Sequence, residues 1–151
     1  MNKKTLREKY GKKSLFRVFF NKFLSLIAML PTTSSFRVFL HRITGTKIGT
    51  NIFLAPYVFI DDQFPELITI EDNAIISFRT TIIAHDDSRG IVSPVTIKRN
   101  AWIGACAIIL PGVIVGEKAV VGAGTVIAKD VPSKTTVVGA EIRIINKERE
   151  P

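Results

Sequence analysis

Cysteine is all but missing: Cys106 stands alone in 151 residues. No intrachain disulfide can form, so a reducing compartment, the cytoplasm, is the expected setting. Histidine is nearly as scarce, with only His41 and His85. That excludes a metal centre needing three imidazoles from one chain, and no metal is expected. Acidic residues are missing from the first third. Residues 1–47 carry eleven Lys and Arg against Glu8 alone, a net +10, whereas residues 48–151 carry ten against twelve, a net −2. The overall +8 therefore belongs to an amino-terminal arm. That split argues against a uniformly basic nucleic-acid binder, and no nucleic-acid partner is expected. Long apolar runs are missing too. Arg17, Asn21 and Lys22 interrupt the only candidate, which falls short of the ~20 residues a membrane span needs. The apolar run 23–30 is short, and Pro31 follows it without a small-residue cleavage pattern, so no secretory signal is expected. What remains, 46% apolar and 23% charged, is the composition of one soluble globular domain.

What is present is a repeat. From Ile48 onward an aliphatic residue recurs every six positions: Ile48, Leu54, Ile60; Ile70, Ile76, Ile82; then Ile97, Ile103, Ile109, Val115, Val121 and Ile127. Four residues after most of these stands a small or β-branched one: Val58, Ala74, Thr80, Ala101, Ala107, Val113, Ala119, Thr125, Val131. Glycine follows the repeat residue at Gly49, Gly104, Gly116 and Gly122, where it is expected to relieve backbone angles that side chains forbid. A period of six fits neither a helix nor an alternating strand. It fits a solenoid of short strands and two-residue bends, with three units to a triangular coil. Residues eighteen apart then stack, Ile97 on Val115, Ile103 on Val121 and Ile109 on Ile127. Residues 48–136 are the expected extent of this body. The hexad breaks mildly at 61–69 and more strongly at 83–96, where a polar loop begins with His85, Asp86 and Asp87. Insertions in solenoids often lie on the binding face.

Residues 1–47 read as a helical arm. Leu15, Phe16, Phe19, Phe20, Phe23, Leu24 and Ile27 share one helical face, with Lys13, Arg17, Asn21 and Ser25 opposite. Residues 34–42 suit a second short helix, and 137–151 form a charged tail. The arm has three readings: a cap on the solenoid, a peripheral membrane contact through residues 1–30, or a binding segment for an acidic acceptor.

The stretch 94–139, PVTIKRNAWIGACAIILPGVIVGEKAVVGAGTVIAKDVPSKTTVVG, closely resembles the carboxy-terminal coils of hexapeptide-repeat O-acetyltransferases, among them galactoside, maltose, nodulation-factor and exopolysaccharide acetyltransferases. Residues 48–86 resemble the preceding coils of the same family, and serine acetyltransferase is a more distant relative. The resemblance implies an all-β, left-handed parallel β-helix with an α-helical amino-terminal segment. It implies a homotrimer with active sites in the grooves between neighbouring prisms, and acetyl-CoA as donor. It places His85 as the general base and Trp102 at the tryptophan that precedes the Ile-Gly step. Contacts to the CoA pantetheine and nucleotide correspond to Ala105, Ala123, Ala128, Lys129 and Arg143. Two departures stand out. The familiar tail Gly-Asn-Pro-Ala-Arg reads Gly139-Ala140-Glu141-Ile142-Arg143, and the Asn-Phe-Asn acceptor motif has no counterpart, with Ala55-Pro56-Tyr57 in its region.

The chemistry asks for a base near neutrality, because a sugar hydroxyl is protonated at pH 7 and an imidazole of pKa ~6.5 can accept its proton. One ring nitrogen must donate to a carboxylate or carbonyl. Asp61, Asp62, Asp86 and Asp87 are all candidates. With Tyr57, Asp61, Asp62 and Asp86 are also the expected acceptor-binding residues. Gly104 is expected to let substrate approach the backbone, beside a backbone N–H that meets the thioester oxygen. Alternatives stand beside each assignment. His85 alone could be a solvated loop histidine, Trp102 could pack on a neighbouring chain, Lys129 could be solvated rather than meet a CoA phosphate, and Cys106 reads as structural rather than as an acyl carrier. The expected activity is transfer of acetyl to a hydroxyl of a sugar or lipid-linked envelope or exopolysaccharide precursor. Serine- or amino-sugar-directed transfer and a noncatalytic scaffold are the alternatives. A zinc-dependent γ-type carbonic anhydrase of similar coils fails on its histidines.

Overall fold

A computed structural model describes residues 14–139. Arg143, the rest of the tail and the basic residues before Ser14 lie outside that range. Among the described residues two helices, α1 (Leu15–Ala28) and α2 (Ser34–Thr44), precede fifteen short strands. These are β1 (Lys47–Ile48), β2 (Phe53–Leu54), β3 (Phe59–Ile60), β4 (Ile68–Ile70), β5 (Ile75–Ile76), β6 (Thr81–Ile82), β7 (His85–Asp86), β8 (Ile91–Val92), β9 (Val95–Ile97), β10 (Trp102–Ile103), β11 (Ile108–Ile109), β12 (Ile114–Val115), β13 (Val120–Val121), β14 (Val126–Ile127) and β15 (Thr136–Val137). Three parallel sheets form the walls of a left-handed prism. The first wall runs β1-β4-β9-β12, the second β2-β5-β10-β13-β15, the third β3-β6-β11-β14.

All twelve hexad residues pair in register into three columns. Ile48, Ile70, Ile97 and Val115 stack in the first wall. Leu54, Ile76, Ile103 and Val121 stack in the second. Ile60, Ile82, Ile109 and Ile127 stack in the third. Eleven of them are buried and Ile48, at the open end, is half-buried. Each buried side chain of this size contributes roughly 1.5–3 kcal/mol. The small residues four places on are buried as well, at the corners.

The corners correct the expectation for glycine. The left-handed residue lies three places after the repeat residue and usually carries a side chain: Asn51, Tyr57, Asn73, Arg79, Asn100, Cys106, Lys118 and Lys134 all have φ between 52° and 60°. Gly104 does not adopt that conformation. A Cβ there would sit 2.6 Å from the backbone nitrogen of Ala123 and 2.7 Å from the carbonyl oxygen of Val121. Its missing Cβ lets one coil rest on the next.

The first coil has no preceding coil to pair with, and α2 fills that need. Ser34 Oγ accepts from Leu54 N (2.8 Å) and donates to Ile52 O (3.2 Å). Arg37 Nε and Nη2 donate to Leu54 O at 2.9 and 2.6 Å, and Nη1 donates to Thr32 O. Arg42 donates to Ile48 O and Gly49 O. A strand edge that would otherwise be open is thus satisfied by side chains.

Helix α1 packs against α2 with an unexpected orientation. Its buried residues are Asn21, Leu24, Ser25 and Ala28, while Phe16 and Phe19 are 78% and 74% exposed. The helix exists where periodicity places it, but its polar side faces the body and its phenylalanines face outward. Helical spacing defines two faces; only packing decides which is buried.

Candidate active site

Both interruptions of the hexad leave the prism at one corner. Ile60 and Ile82 are register partners, so the segments that follow them, 61–69 and 83–96, start side by side at the edge between the third and first walls. The first is a tight excursion through a 3-10 turn, Pro65–Leu67. The second, expected as a polar loop, is an ordered excursion. It folds into an antiparallel hairpin of β7 and β8, with His85 opposite Val92.

Asp61 ties the two together. It is fully buried, and its carboxylate accepts four hydrogen bonds. Oδ1 takes Gln63 N (2.9 Å) and Phe64 N (3.1 Å), a local turn that launches the first excursion. Oδ2 takes Ala84 N (2.9 Å) and His85 Nδ1 (2.5 Å). A buried carboxylate facing Nδ1 requires the proton there, which leaves the lone pair on Nε2. The imidazole is 16% exposed, and the buried ring of Phe64 packs beside it with centroids 5.7 Å apart. The ring is thus fixed in tautomer and orientation while still reaching the surface.

Asp61 was expected either to orient His85 or to bind the acceptor. With no exposed surface and every lone-pair direction taken, it orients His85. Asp86 stands in the hairpin beside His85. Its Oδ1 holds the hairpin turn through Ser88 N (2.9 Å), Ser88 Oγ (2.6 Å) and Arg89 N (3.2 Å). Those bonds, Ser88 Oγ first, hold its carboxyl below the usual range. Asp62 is half-buried, and desolvation raises its pKa against the opposing charges of Lys22 and His85.

Helix α1 reaches this corner, which nothing in the sequence signals. Asn21 Nδ2 donates to Asp62 O (3.4 Å). A cavity of about 450 Å³ lies between the helix and the first excursion, lined by Ser14, Arg17, Val18, Asn21, Gln63 and Glu66.

The remaining predicted site residues fall into two groups. Ala128 and Lys129 are exposed at the same third-to-first-wall edge as His85, further along the prism, and line a cavity of about 320 Å³. Trp102, 52% exposed, lies on the outer face of the second wall between Ile75 and Val120. Gly104 and Ala105 stack on Gly122 and Ala123 at the next edge through Gly104 N to Val121 O and Gly124 N to Ala105 O, both 2.8 Å. Tyr57 belongs to that edge too, with its ring edge-on to Phe78 at 5.6 Å. Within one chain, Tyr57, Gly104, Ala105 and Ala123 therefore lie on a different edge from His85, and Trp102 on the wall beside that edge. Among the described residues no three His, Cys, Asp or Glu side chains are grouped as metal ligands.

Comparison with known proteins agrees with this architecture. The model for the bacterial transferase hexapeptide (six repeats) matches residues 94–129. The provisionally named acetyltransferase YvoF of Bacillus subtilis is 42% identical over 108 residues, covering 69% of this chain and 62% of that protein. Galactoside O-acetyltransferase of Escherichia coli K12 is 31% identical over 113 residues, covering 69% and 55%. The chain thus spans under two-thirds of the length of these two relatives. A hexapeptide-repeat acetyltransferase of Vibrio cholerae, solved in complex with acetyl coenzyme A, superposes with a TM-score of 0.66 at 25% identity over 89% of this chain and 88% of that one. With its three hexad columns, its left-handed coil and these relatives, the chain belongs to the hexapeptide-repeat acyltransferase family.

Proposed function

We propose that the protein transfers an acetyl group from acetyl-CoA to a hydroxyl of a sugar, such as an envelope or exopolysaccharide precursor, with His85 as general base. The observation that carries this reading is the His85–Asp61 pair at the corner where both breaks in the repeat meet. A buried carboxylate on Nδ1 makes Nε2 the proton acceptor, and the hydroxyl proton moves to it as the acceptor oxygen attacks the thioester carbonyl. The ester C–O bond forms, the C–S bond breaks, and the proton held on Nε2 passes to the departing thiolate. Asp61 stays ionised and stabilises the imidazolium between those two transfers, the logic of an oriented His–Asp pair.

A trimer completes the site in this reading. Gly104, Ala105 and Ala123 lie on a different edge from His85, with Trp102 on the wall beside that edge, so a neighbouring copy supplies them as the donor-binding wall. The outward strip Phe53, Ile75, Trp102 and Val120 is apolar and partly or wholly exposed, as a copy-to-copy contact would need. Ala128 and Lys129 sit further along His85's own edge, where Lys129 can meet a CoA phosphate as a point charge. The cavity beside α1, with its Arg17, Asn21, Gln63 and Glu66, offers the hydrogen-bonding groups that a polyhydroxylated acceptor uses, in the cytoplasm and within reach of a membrane-borne precursor. The names of the galactoside and Vibrio proteins support donor and acceptor class.

The test is to incubate the protein with acetyl-CoA and a panel of sugars, amino sugars and serine, following thiol release and identifying products by mass spectrometry. Acceptor-dependent release with a sugar O-acetyl ester as product is expected. An amide or O-acetylserine as the favoured product would move the acceptor class. Absence of both CoA binding and release would leave a scaffold.

A further inference from the structure

The outward side of α1 has no role in the transfer reaction, and its composition is unusual for an exposed helix. Phe16, Phe19, Phe23 and Leu26 are 78%, 74%, 55% and 64% exposed and recur at i, i+3, i+7 and i+10. The helix cannot roll them inward, because Asn21, Leu24, Ser25 and Ala28 on the other side already pack on the body. An apolar strip of this size on a soluble surface marks a binding face.

Charge selects the occupant. At helical spacing the exposed Lys22 flanks the phenylalanine strip, while Arg17 lies on the opposite side, at the cavity. The first 47 residues carry +10 while the rest carries −2. Contact between copies through this face would bring one strongly basic arm against another. A surface that is apolar beneath and anionic above satisfies rings and cations together. A helix of fourteen residues is also too short to cross a bilayer, and no described helix is long and apolar enough to do so.

We propose that α1 lies in the plane of an anionic lipid bilayer, with its phenylalanine side in the acyl boundary and Lys22 at the headgroups. The opposite side of the same helix borders the cavity next to Asp62 and the His85–Asp61 pair. Docking therefore sets that cavity beside the membrane surface. This placement stands whether or not the acceptor proves to be a sugar.

Sedimentation of the full chain with phosphatidylcholine vesicles, with and without phosphatidylglycerol, tests the proposal. Binding is expected on anionic vesicles, weaker by about tenfold or more on zwitterionic ones and in high salt. The triple variant Phe16→Ser, Phe19→Ser, Phe23→Ser should lose vesicle binding by about 10²-fold or more with an unchanged melting temperature. Phe19→Trp should add a blue-shifted emission component on anionic vesicles that is missing on zwitterionic ones. Failure of the wild type to bind anionic vesicles overturns the proposal. So does a triple variant that binds as the wild type does, or one that loses self-association in analytical ultracentrifugation while keeping its vesicle binding. The last outcome would make the face a contact between copies.

Discussion

Three residues carry the sharpest expectations. Asp61→Asn puts an amide NH₂ where every neighbour is a donor, with Gln63 N and Phe64 N on one side and Ala84 N and His85 Nδ1 on the other. The variant should lose about 1–3 kcal/mol of stability and, while still folded below its melting point, roughly 10²-fold or more in kcat with little change in donor affinity. A variant with wild-type kcat would reduce Asp61 to a turn-former. Gly104→Ala drives a Cβ into the backbone of the next coil and should cost about 1–3 kcal/mol in a denaturant titration; a neutral result would mean the coils are spaced more loosely than described. His41 is buried with no hydrogen-bond partner for either ring nitrogen among the described residues, and burial, then the charge of Arg37, pushes its pKa from 6.5 down to about 4. Above pH 6.5 folded and unfolded chains both hold it neutral, and its contribution to stability is complete. As pH falls from about 6.5 toward 4, only the unfolded chain takes up the proton, and roughly 3 kcal/mol is lost. His41→Leu should flatten that acid limb of the stability curve, which chemical denaturation at stepped pH would read. At this scale the site was least legible in the chain. His85 stands out because it begins the larger break. Four carboxylates were candidates to orient it, and only the register of Ile60 on Ile82 brings Asp61, 24 residues away in sequence, into contact with it. His41 carries no signal of its burial, because burial between elements leaves no local mark.

Among the elements, the strands were the most legible and the helices the least. Twelve aliphatics six apart stack as three columns because each must face the prism interior, and that demand writes itself directly into the chain. The excursion and the hairpin left only breaks in the period, without their internal form. For α1 the periodicity was right about the helix and silent about its direction, since the pairing of Asn21 and Ser25 with the body depends on what α2 offers. The capping role of α2 has its own test. Arg37 covers Leu54 O, and Arg37→Met leaves that carbonyl buried and unpaired. A loss of about 1–3 kcal/mol in denaturant unfolding is expected; no loss would mean that another group caps the first coil.

For the molecule as a whole, the coils contact only their neighbours, so stability accumulates coil by coil from the cap outward. Chemistry gathers where that regularity fails, at the one corner where both interruptions emerge together. Positive charge gathers beyond it, on the arm that precedes the coils. The central claim is that the imidazole at this corner is the base. Measured at saturating acetyl-CoA and a productive acceptor, His85→Ala should lower kcat for acceptor-dependent thiol release by roughly 10²–10⁴-fold, while calorimetry finds its donor affinity unchanged. Full turnover by His85→Ala would contradict the account.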